Sequence, residues 1–286
     1  MNKYNVKIFL NGGLGNQLFQ YAAGYSLAKI KAVNIELNIG SIVKEGAHSG
    51  FTLDKMSIPN CKISHDILPG FINKTIICNS KIVKIFGVKN ELFWTSIYNT
   101  DKLKKELSLI GYWQNEKYFT THRDELIEFF IPKEKNSIYK DNILNYKYKS
   151  VSIHFRRGDY ITNKKAYDFH GVCSLDYYIK AVNEIKALYG EKVRFFIFSN
   201  DFNWVKSVIN KLDISDYVFV MGTTPELDIY LMSLCDSHII ANSSFSWWGA
   251  WLSKKNGAVI APDKWYTTPP KINADPCPEK WIRVER

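Results

Sequence analysis

Cysteine is scarce in this sequence, and long apolar runs are missing. Five cysteines are scattered over 286 residues without a C-x-x-C or Cys/His spacing. A disulfide framework and a zinc site are therefore not indicated, and a reduced, cytosolic compartment fits. The first residues carry Lys7, Asn11 and Asn16 where a signal peptide would be apolar, and no run of about eighteen apolar residues occurs. Membrane contact, for instance at the inner face of the cytoplasmic membrane, is expected to be peripheral.

The D-x-D pattern of metal-dependent diphosphate sites is also missing. Its nearest equivalent, Glu226-Leu-Asp228, lies in a stretch with helical spacing rather than at the end of a strand. Metal-dependent diphosphate binding is therefore disfavoured, and arginines would neutralise an anionic ligand instead. We expect no metal and no cofactor.

Acidic residues are in the minority. The chain has 38 Lys and Arg against 28 Asp and Glu, a net charge of +10, which favours anionic partners such as phosphates. The excess is spread out and rich in lysine, over 74–105 and 133–149, so most of it is interpreted as solvated surface. A membrane-facing patch is the alternative, and no nucleic acid is expected as a partner.

The first half opens with a strand, a glycine loop, a helix and a second strand. VKIFLN (6–11) and VNIELN (33–38) are strand-like, and the segment between them has apolar residues at helical spacing. Signals over 40–110 are weaker, although KTIIC and SKIVKIF indicate short strands or helices. The polar stretch 133–150 is interpreted as a helix or a linker to a second domain.

The second half alternates strands with helices. Apolar runs predict strands at 151–155, 193–198, 217–221, 238–242 and 257–261. Helix-like stretches lie between them, at 175–189, 202–212, 225–235 and 244–255. This alternation predicts a parallel sheet covered by helices on both faces. We expect residues 1–145 to form an N-terminal α/β domain and residues 146–286 to form a doubly wound C-terminal domain.

The stretch VSIHFRRGDY (151–160) carries the densest group of polar side chains. An apolar strand containing His154 ends there in Arg156, Arg157 and Asp159, and Gly158 permits the turn that follows. Ligands of open α/β sheets lie outside the carboxyl ends of the strands. The two guanidiniums therefore favour a site for an anionic ligand over a surface ion-pair cluster.

Two later strands also end in polar residues. Asp201, in Ser199-Asn200-Asp201, could accept from the two donors on the Watson–Crick edge of guanine, although capping of the next helix explains the tripeptide equally well. A serine-rich helix start offers exposed amides to an anion. It comprises Asn242, Ser243, Ser244, Phe245 and Ser246.

The glycine loop GGLG has two interpretations. Gly13 and Gly15 follow a strand as in a dinucleotide fingerprint, and Glu36 falls where a ribose-binding carboxylate would lie. The third glycine position is Leu18, where close helix–strand packing needs a small residue, and this weakens the nicotinamide interpretation. Alternatively, bare backbone amides with Asn16 line the wall of a cleft.

An aromatic-rich stretch, GYWQNEKYF, follows at 111–119. Rings beside amides suit a sugar, whose C–H faces stack while its hydroxyls form hydrogen bonds, and core packing at a domain edge is the alternative. The candidate acceptor-binding residues are Tyr112, Trp113, Gln114 and Asn115.

In this order, GGLGNQLFQYA, GYWQNEKYF, HFRRGDY, FSND and NSSFSWWGAWL resemble the motifs of bacterial α-1,2-fucosyltransferases, glycosyltransferase family eleven. The resemblance implies a GT-B-like α/β fold, with two facing Rossmann-type domains, a cleft between them and the acceptor on the N-terminal side. It implies inverting transfer of L-fucose from GDP-fucose to the 2-hydroxyl of a terminal β-galactose in a bacterial surface glycan such as an O-antigen. The galactose-terminated acceptor could be lipid-linked. The HxRR core also resembles α-1,6- and protein O-fucosyltransferases, so other linkages, including α-1,3, stay open.

The resemblance further implies roles for the residues. Arg156 would contact the β-phosphate, supported by Arg157, while Gly13, Gly15 and Asn16 would face the sugar. The remaining GDP-fucose contacts would come from His154, Ser199, Asn200, Asp201, Asn242, Ser243, Ser244, Phe245 and Ser246.

The catalytic base stays open between two residues. Related O-fucosyltransferases can carry a carboxylate in the first glycine loop, which GGLGNQ lacks. Asp159 is nearest to the arginines in sequence, and we expect Arg157 to pair with it and to lower its pKa. His170, expected on the loop that leaves the same strand, has an ordinary pKa near 6.5. Asp159 is retained as essential and His170 as a candidate proton acceptor.

Two other classes of protein are weaker alternatives. A lectin would use the aromatic residues and leave the arginine pair unexplained. A nucleotide-dependent oxidoreductase would use GGLG but needs a hydride-transfer site that the sequence does not offer.

Overall fold

A computed structural model of the protein describes residues 5–45, 50–66, 88–90, 107–267 and 275–286. The chain divides into two compact units, Met1–Ile131 and Pro132–Arg286. The segments KTIIC and SKIVKIF lie outside the described residues. The boundary predicted near 145 falls later than this division, because the polar stretch 133–150 carries a helix that packs within the second unit.

The first unit is built on a parallel sheet with the strand order β3-β2-β1-β5-β4. Its strands are β1 (Asn5–Phe9), β2 (Asn34–Asn38), β3 (Lys62–Ser64), β4 (Val88–Asn90) and β5 (Leu107–Ile110). The α-helices described in this unit are α1 (Leu14–Lys31), α2 (Gly40–Glu45) and α3 (Arg123–Phe129).

Helix α1 lies unusually close to the sheet. A Cβ on Gly24 would fall 2.1 Å from Cδ1 of Ile8, so only glycine permits this approach. The helix ends where Ala32 adopts a left-handed conformation (φ +52°) and its N–H caps the last turn. Close packing buries the polar side chains of Gln17 and Gln20 at the start of the helix.

The second unit has a parallel sheet with the order β11-β10-β9-β6-β7-β8. Its strands are β6 (Lys149–Phe155), β7 (Val193–Ser199), β8 (Tyr217–Phe219), β9 (Ser237–Ile239), β10 (Val259–Pro262) and β11 (Ile282–Val284). Its described α-helices are α4 (Ile138–Leu144), α5 (Gly158–Thr162), α6 (Lys164–His170), α7 (Leu175–Tyr189), α8 (Phe202–Val208), α9 (Pro225–Leu234) and α10 (Ser244–Trp251).

The predicted parallel α/β architecture is confirmed. Strand β6 lies in the middle of its sheet and is covered on both faces, which explains its apolar composition. Glu226 and Asp228 lie in helix α9, as the spacing indicated. The sequence did not reveal β11, a three-residue edge strand, or the short polar helices α5 and α6. Within the described ranges, no helix combines the length and the apolar character that crossing a membrane requires.

Candidate active site

The polar residues predicted at three strand ends lie together at the carboxyl ends of the strands of the second sheet. Strand β6 pairs with β7 on one side and with β9 on the other, and all three run parallel. The loops that follow them therefore leave the sheet side by side. Direct contacts join these loops, and the two arginines after β6 are at the centre.

Arg156 is held by a carboxylate and a ring. One of its terminal nitrogens lies 2.6 Å from Oδ1 of Asp159, and its guanidinium lies 4.9 Å from the centre of the Tyr160 ring. The sequence predicted Arg157 as the partner of Asp159. Asp159 instead pairs with Arg156, because α5 starts at Gly158 and places Asp159 one helical turn after Arg156.

Arg157 has an analogous environment built from the next loop. Its Nε lies 3.5 Å from Oδ2 of Asp201, and its guanidinium lies 4.0 Å from the centre of the Trp204 ring. Oδ1 of Asp201 accepts the Trp204 backbone N–H at 3.1 Å and caps α8. Asp201 therefore supports Arg157 and caps a helix, as the capping interpretation of the tripeptide predicted, and recognition of guanine by Asp201 stays a prediction.

Asn200 fixes the backbone at Arg157, the residue directly before α5. Its Oδ1 accepts the Arg157 N–H at 2.9 Å. A Cβ on Gly158 would lie 2.2 Å from Nδ2 of Asn200, so glycine is needed here for close approach and not for the turn that the sequence suggested. Ser199 closes the same loop by accepting the Asp201 N–H through its hydroxyl at 2.9 Å.

His154 is a buried, neutral imidazole behind the arginines. Burial and the charge of Arg156 lower the pKa of His154 to about 3. Its ring lies 5.6 Å from that of Phe245, so the end of β6 meets the start of α10. Nδ1 of His154 is buried without a hydrogen-bond partner in the described part of the chain, which leaves a polar atom for a ligand to satisfy.

His170 lies at the last position of α6 rather than on a loop. Its ring stacks on Tyr160, with centroids 4.6 Å apart and planes 6° from parallel. Burial, followed by the charge of Arg156, lowers the pKa of His170 to about 4, although Asp159 opposes the shift. His170 is therefore neutral over the physiological range, and the ordinary pKa assumed from the sequence is too high.

The backbone around His170 is clamped from two sides. Nδ2 of the buried Asn242 donates to the carbonyl of His170 at 2.9 Å and to that of Trp265 at 3.2 Å. Arg286 donates to the same His170 carbonyl at 2.5 Å and to the Thr267 hydroxyl at 3.0 Å. Asn242, predicted as a ligand contact, thus positions the His170 segment.

The serine-rich start of α10 is only partly available to a ligand. The hydroxyl of Ser243 accepts the Phe245 N–H at 3.3 Å, and that of Ser246 donates to the Ser243 carbonyl at 3.4 Å. Both serines are buried, whereas Ser244 and Phe245 are partly exposed. The first turn of α10 therefore offers its backbone amides and Ser244.

In the first unit, the loops after β1 and β5 are joined because these strands are neighbours. Gly13 precedes α1, Gly15 lies in its first turn, and Oδ1 of Asn16 accepts Nε2 of Gln114 at 2.8 Å. Gln20 links the same loops by donating to Oδ1 of Asn11 and to the Gly111 carbonyl. Asn16, predicted to face the sugar, and Gln114, predicted to bind the acceptor, are therefore in direct contact.

The aromatic stretch after β5 is divided between surface and core. Tyr112 is 46% exposed, whereas Trp113 is fully buried and packs edge-on against Tyr118 at 5.6 Å. Trp113 supports the loop from within and offers no face to a sugar, which corrects the expectation for this residue. Asn115 accepts the Lys117 N–H and starts a short 3₁₀ turn.

Sequence reasoning missed several supporting residues. Tyr160 and Trp204 back the arginines, Arg286 holds the His170 segment, and Gln20 joins the loops of the first unit. Tyr160 stood inside the motif HFRRGDY and could have been found there. The other three lie far along the chain from their partners, so no local pattern revealed them. Among the described residues, no group of three or more His, Cys, Asp or Glu could hold a metal ion.

Comparison with known proteins identifies relatives of this chain. The model of Glycosyl transferase family 11 matches residues 2–285. An alpha-1,2-colitosyltransferase of Escherichia coli is 39% identical over 97% of this chain and 98% of that protein. The O-antigen biosynthesis glycosyltransferase WbnK of Escherichia coli is 34% identical over 90% of this chain and 93% of that protein. A structure of the α-1,6-fucosyltransferase NodZ, soaked with GDP-fucose, shares the fold with a TM-score of 0.55 at 15% identity, over 91% of this chain and 94% of that chain.

Proposed function

The chain belongs to glycosyl transferase family 11, and we propose that it transfers L-fucose from GDP-fucose, with inversion, to the 2-hydroxyl of a terminal β-galactose. The O-antigen relative supports a bacterial surface glycan as the acceptor. Such an acceptor could be lipid-linked, which would place the enzyme in the cytoplasm at the inner face of the membrane.

The arginine pair after β6 is the observation that carries this proposal. Arg156 and Arg157 stand at the carboxyl end of a central strand, each oriented by a carboxylate and a ring. A diphosphate offers two phosphate groups to two fixed guanidiniums. Arg156 would stabilise the charge that develops on the β-phosphate as the sugar–oxygen bond breaks, without a metal.

The surroundings of Arg156 keep its charge available for the diphosphate. The imidazoles of His154 and His170 are neutral at physiological pH, because burial and the charge of Arg156 lower their pKa values. Asp159 compensates the guanidinium only in part, since its side chain is itself 44% exposed. His154 and the first turn of α10 would complete the nucleotide site.

Inversion requires the acceptor hydroxyl to attack opposite the leaving diphosphate and then to lose its proton. A neutral His170 can accept that proton, and its stack on Tyr160 and the hydrogen bonds to its carbonyl orient it. Asp159 would orient Arg156. On the acceptor side, Tyr112 supplies an exposed ring and Gln114 a side-chain amide.

Colitose is a second candidate for the transferred sugar. The relative that transfers colitose, an analogue of fucose, is 39% identical over nearly the whole chain. The linkage in that relative's name is also α-1,2, so the two candidates differ in the donor alone.

The test is to incubate the purified protein with GDP-fucose or GDP-colitose and a β-galactoside, and to determine the product linkage by NMR. We expect an α-1,2-linked product from GDP-fucose and none from a 2-deoxygalactoside. Transfer from GDP-colitose alone would favour the second candidate. Transfer from neither donor, or a product linked elsewhere on the ring, would contradict the proposal.

A further inference from the structure

A groove lies at the end of the first sheet opposite the glycine loop. Helix α1 returns along β1, so its last turns lie over the amino ends of β1 and β2. Together with the segment before β3 they enclose a groove of about 660 Å³, within the roughly 300–1,000 Å³ typical of small-molecule sites. Its lining includes Asn5, Tyr21, Asn34, Asn60, Cys61 and Lys62.

Tyr21 presents an unsatisfied hydroxyl to this groove. The side chain is only 1% exposed, and its ring packs edge-on against Phe130 at 5.8 Å. The hydroxyl has no hydrogen-bond partner among the described residues and lies in the field of Cys61, which lines the groove. Burial raises the pKa of Tyr21, so the hydroxyl stays protonated and can donate. A ligand in the groove that accepts from this hydroxyl would gain a hydrogen bond that the described part of the protein does not already use.

Three side-chain amides add donors and acceptors around the same groove. Asn5, Asn34 and Asn60 line it, Asn5 partly buried and the other two exposed. An amide offers two donors and one acceptor oxygen, which matches the alternating hydroxyls of a sugar ring. Ala28, Val33 and Pro59 provide an apolar wall for C–H groups.

The lysines of the groove do not make it an anion site. Nζ of Lys29 lies 3.2 Å from Oε2 of Glu125, and Nζ of Lys62 lies 2.8 Å from Oε2 of Glu36. Glu36 remains ionised because Lys62 and Lys7 outweigh its burial and lower its pKa to about 2. Each lysine of the groove therefore already has a carboxylate partner, although Glu36 is shared with Lys7, and this weakens the attraction of the groove for an anion.

We propose that this groove, here named the α1 groove, is a second carbohydrate-binding site that takes a neutral pyranose residue. It lies at the end of the first sheet opposite the loop that carries Gly13 and Asn16, so the bound sugar would not be the reacting one. That the sugar belongs to the acceptor chain rests on the proposed function, whereas binding itself does not.

Saturation-transfer NMR with methyl β-D-galactopyranoside tests this proposal without donor or turnover. We expect binding to the full chain that weakens about threefold to tenfold in Tyr21→Phe, which removes one hydroxyl and keeps the ring. Asn60→Ala should weaken binding similarly, and Asn136→Ala, an exposed asparagine of the second unit, should not. Thermal unfolding of each variant, measured in parallel, separates lost binding from lost folding.

Three results would overturn the α1 groove as a sugar site. One is the absence of saturation transfer to the galactoside. Another is binding that Gln114→Ala abolishes while Tyr21→Phe leaves it unchanged, since the sugar would then occupy the acceptor loop. The third is stronger binding of galacturonate than of the neutral galactoside. Because glycosyl transfer is not measured, a failure of the proposed function would leave these outcomes unaffected.

Alkylation of Cys61 provides an independent readout. Its thiol is partly buried in the groove, and burial raises its pKa. The galactoside should slow modification of Cys61 by iodoacetamide, measured by peptide mass spectrometry. The rate of modification of Cys277, which does not line the groove, should be the same with and without the sugar. Equal rates for Cys61 with and without the sugar would contradict the proposal.

Discussion

Arg156 and Asp159 form an ion pair of 2.6 Å at the start of the helix that follows β6. Exposed pairs of this kind contribute about 1 kcal/mol or less to stability, so the pair matters more for orientation than for folding. It fixes one face of the guanidinium and leaves another for a ligand.

Replacing Asp159 by Asn should weaken binding of GDP, because Arg156 loses the charge that orients it. The acidic limb of the pH–rate profile should be retained, since Asp159 is not expected to be the base. Calorimetric titration with GDP and a pH series measure the two effects. Unchanged GDP affinity together with a lost acidic limb would instead identify Asp159 as the proton acceptor.

His170→Ala should bind GDP normally and lose kcat. In the intact enzyme, burial and Arg156 hold the pKa of His170 at about 4, so the unprotonated form that accepts a proton persists as the pH falls to that value. The rate should therefore decline only near pH 4, not near the ordinary value of about 6.5. Full activity in both His170→Ala and Asp159→Asn would mean that the proton leaves to water or phosphate.

Asp228→Asn should stabilise the protein at neutral and higher pH. Burial raises the pKa of Asp228 from 3.8 to about 7, so the folded state binds the proton more tightly than the unfolded state. The stability due to this group is fully present below pH 3.8 and is lost as the pH rises to about 7. Urea unfolding at about pH 5 and pH 8 should show a smaller decline in the variant. Asp141→Asn, at an exposed position, is the control. A decline equal to that of the wild type would contradict the assignment.

Turnover should not require a metal, because the arginine pair is expected to neutralise the diphosphate. Transfer from GDP-fucose should keep most of its rate in EDTA. Activity that chelation abolishes and Mg²⁺ or Mn²⁺ restores would refute this expectation.

The sheet of the second unit was largely predictable because its strands are continuous apolar runs that end in polar residues. The short helices after Arg157 were not, since GDYITNKKAYDFH has no apolar periodicity. Trp113 is buried, and burial lowers the pKa of His170, through the packing of the folded chain around these side chains. The sequence around each residue alone could not predict either outcome. The motif also suggested the wrong partner for Asp159, because the sequence did not reveal that α5 starts at Gly158.

The most direct test of the arginine site compares kcat of Arg156→Ala with that of Arg194→Ala. Arg194 also has a carboxylate at 2.8 Å and a ring at 4.2 Å, but it lies at the amino end of β7, away from the candidate site. Loss of Arg156 should lower kcat by about 10²–10³ or more, by analogy with removal of one oxyanion donor. Arg156→Lys should not restore it fully, because lysine lacks the planar fork. Arg194→Ala should keep a near-normal kcat. Near-normal turnover in Arg156→Ala would contradict the central claim.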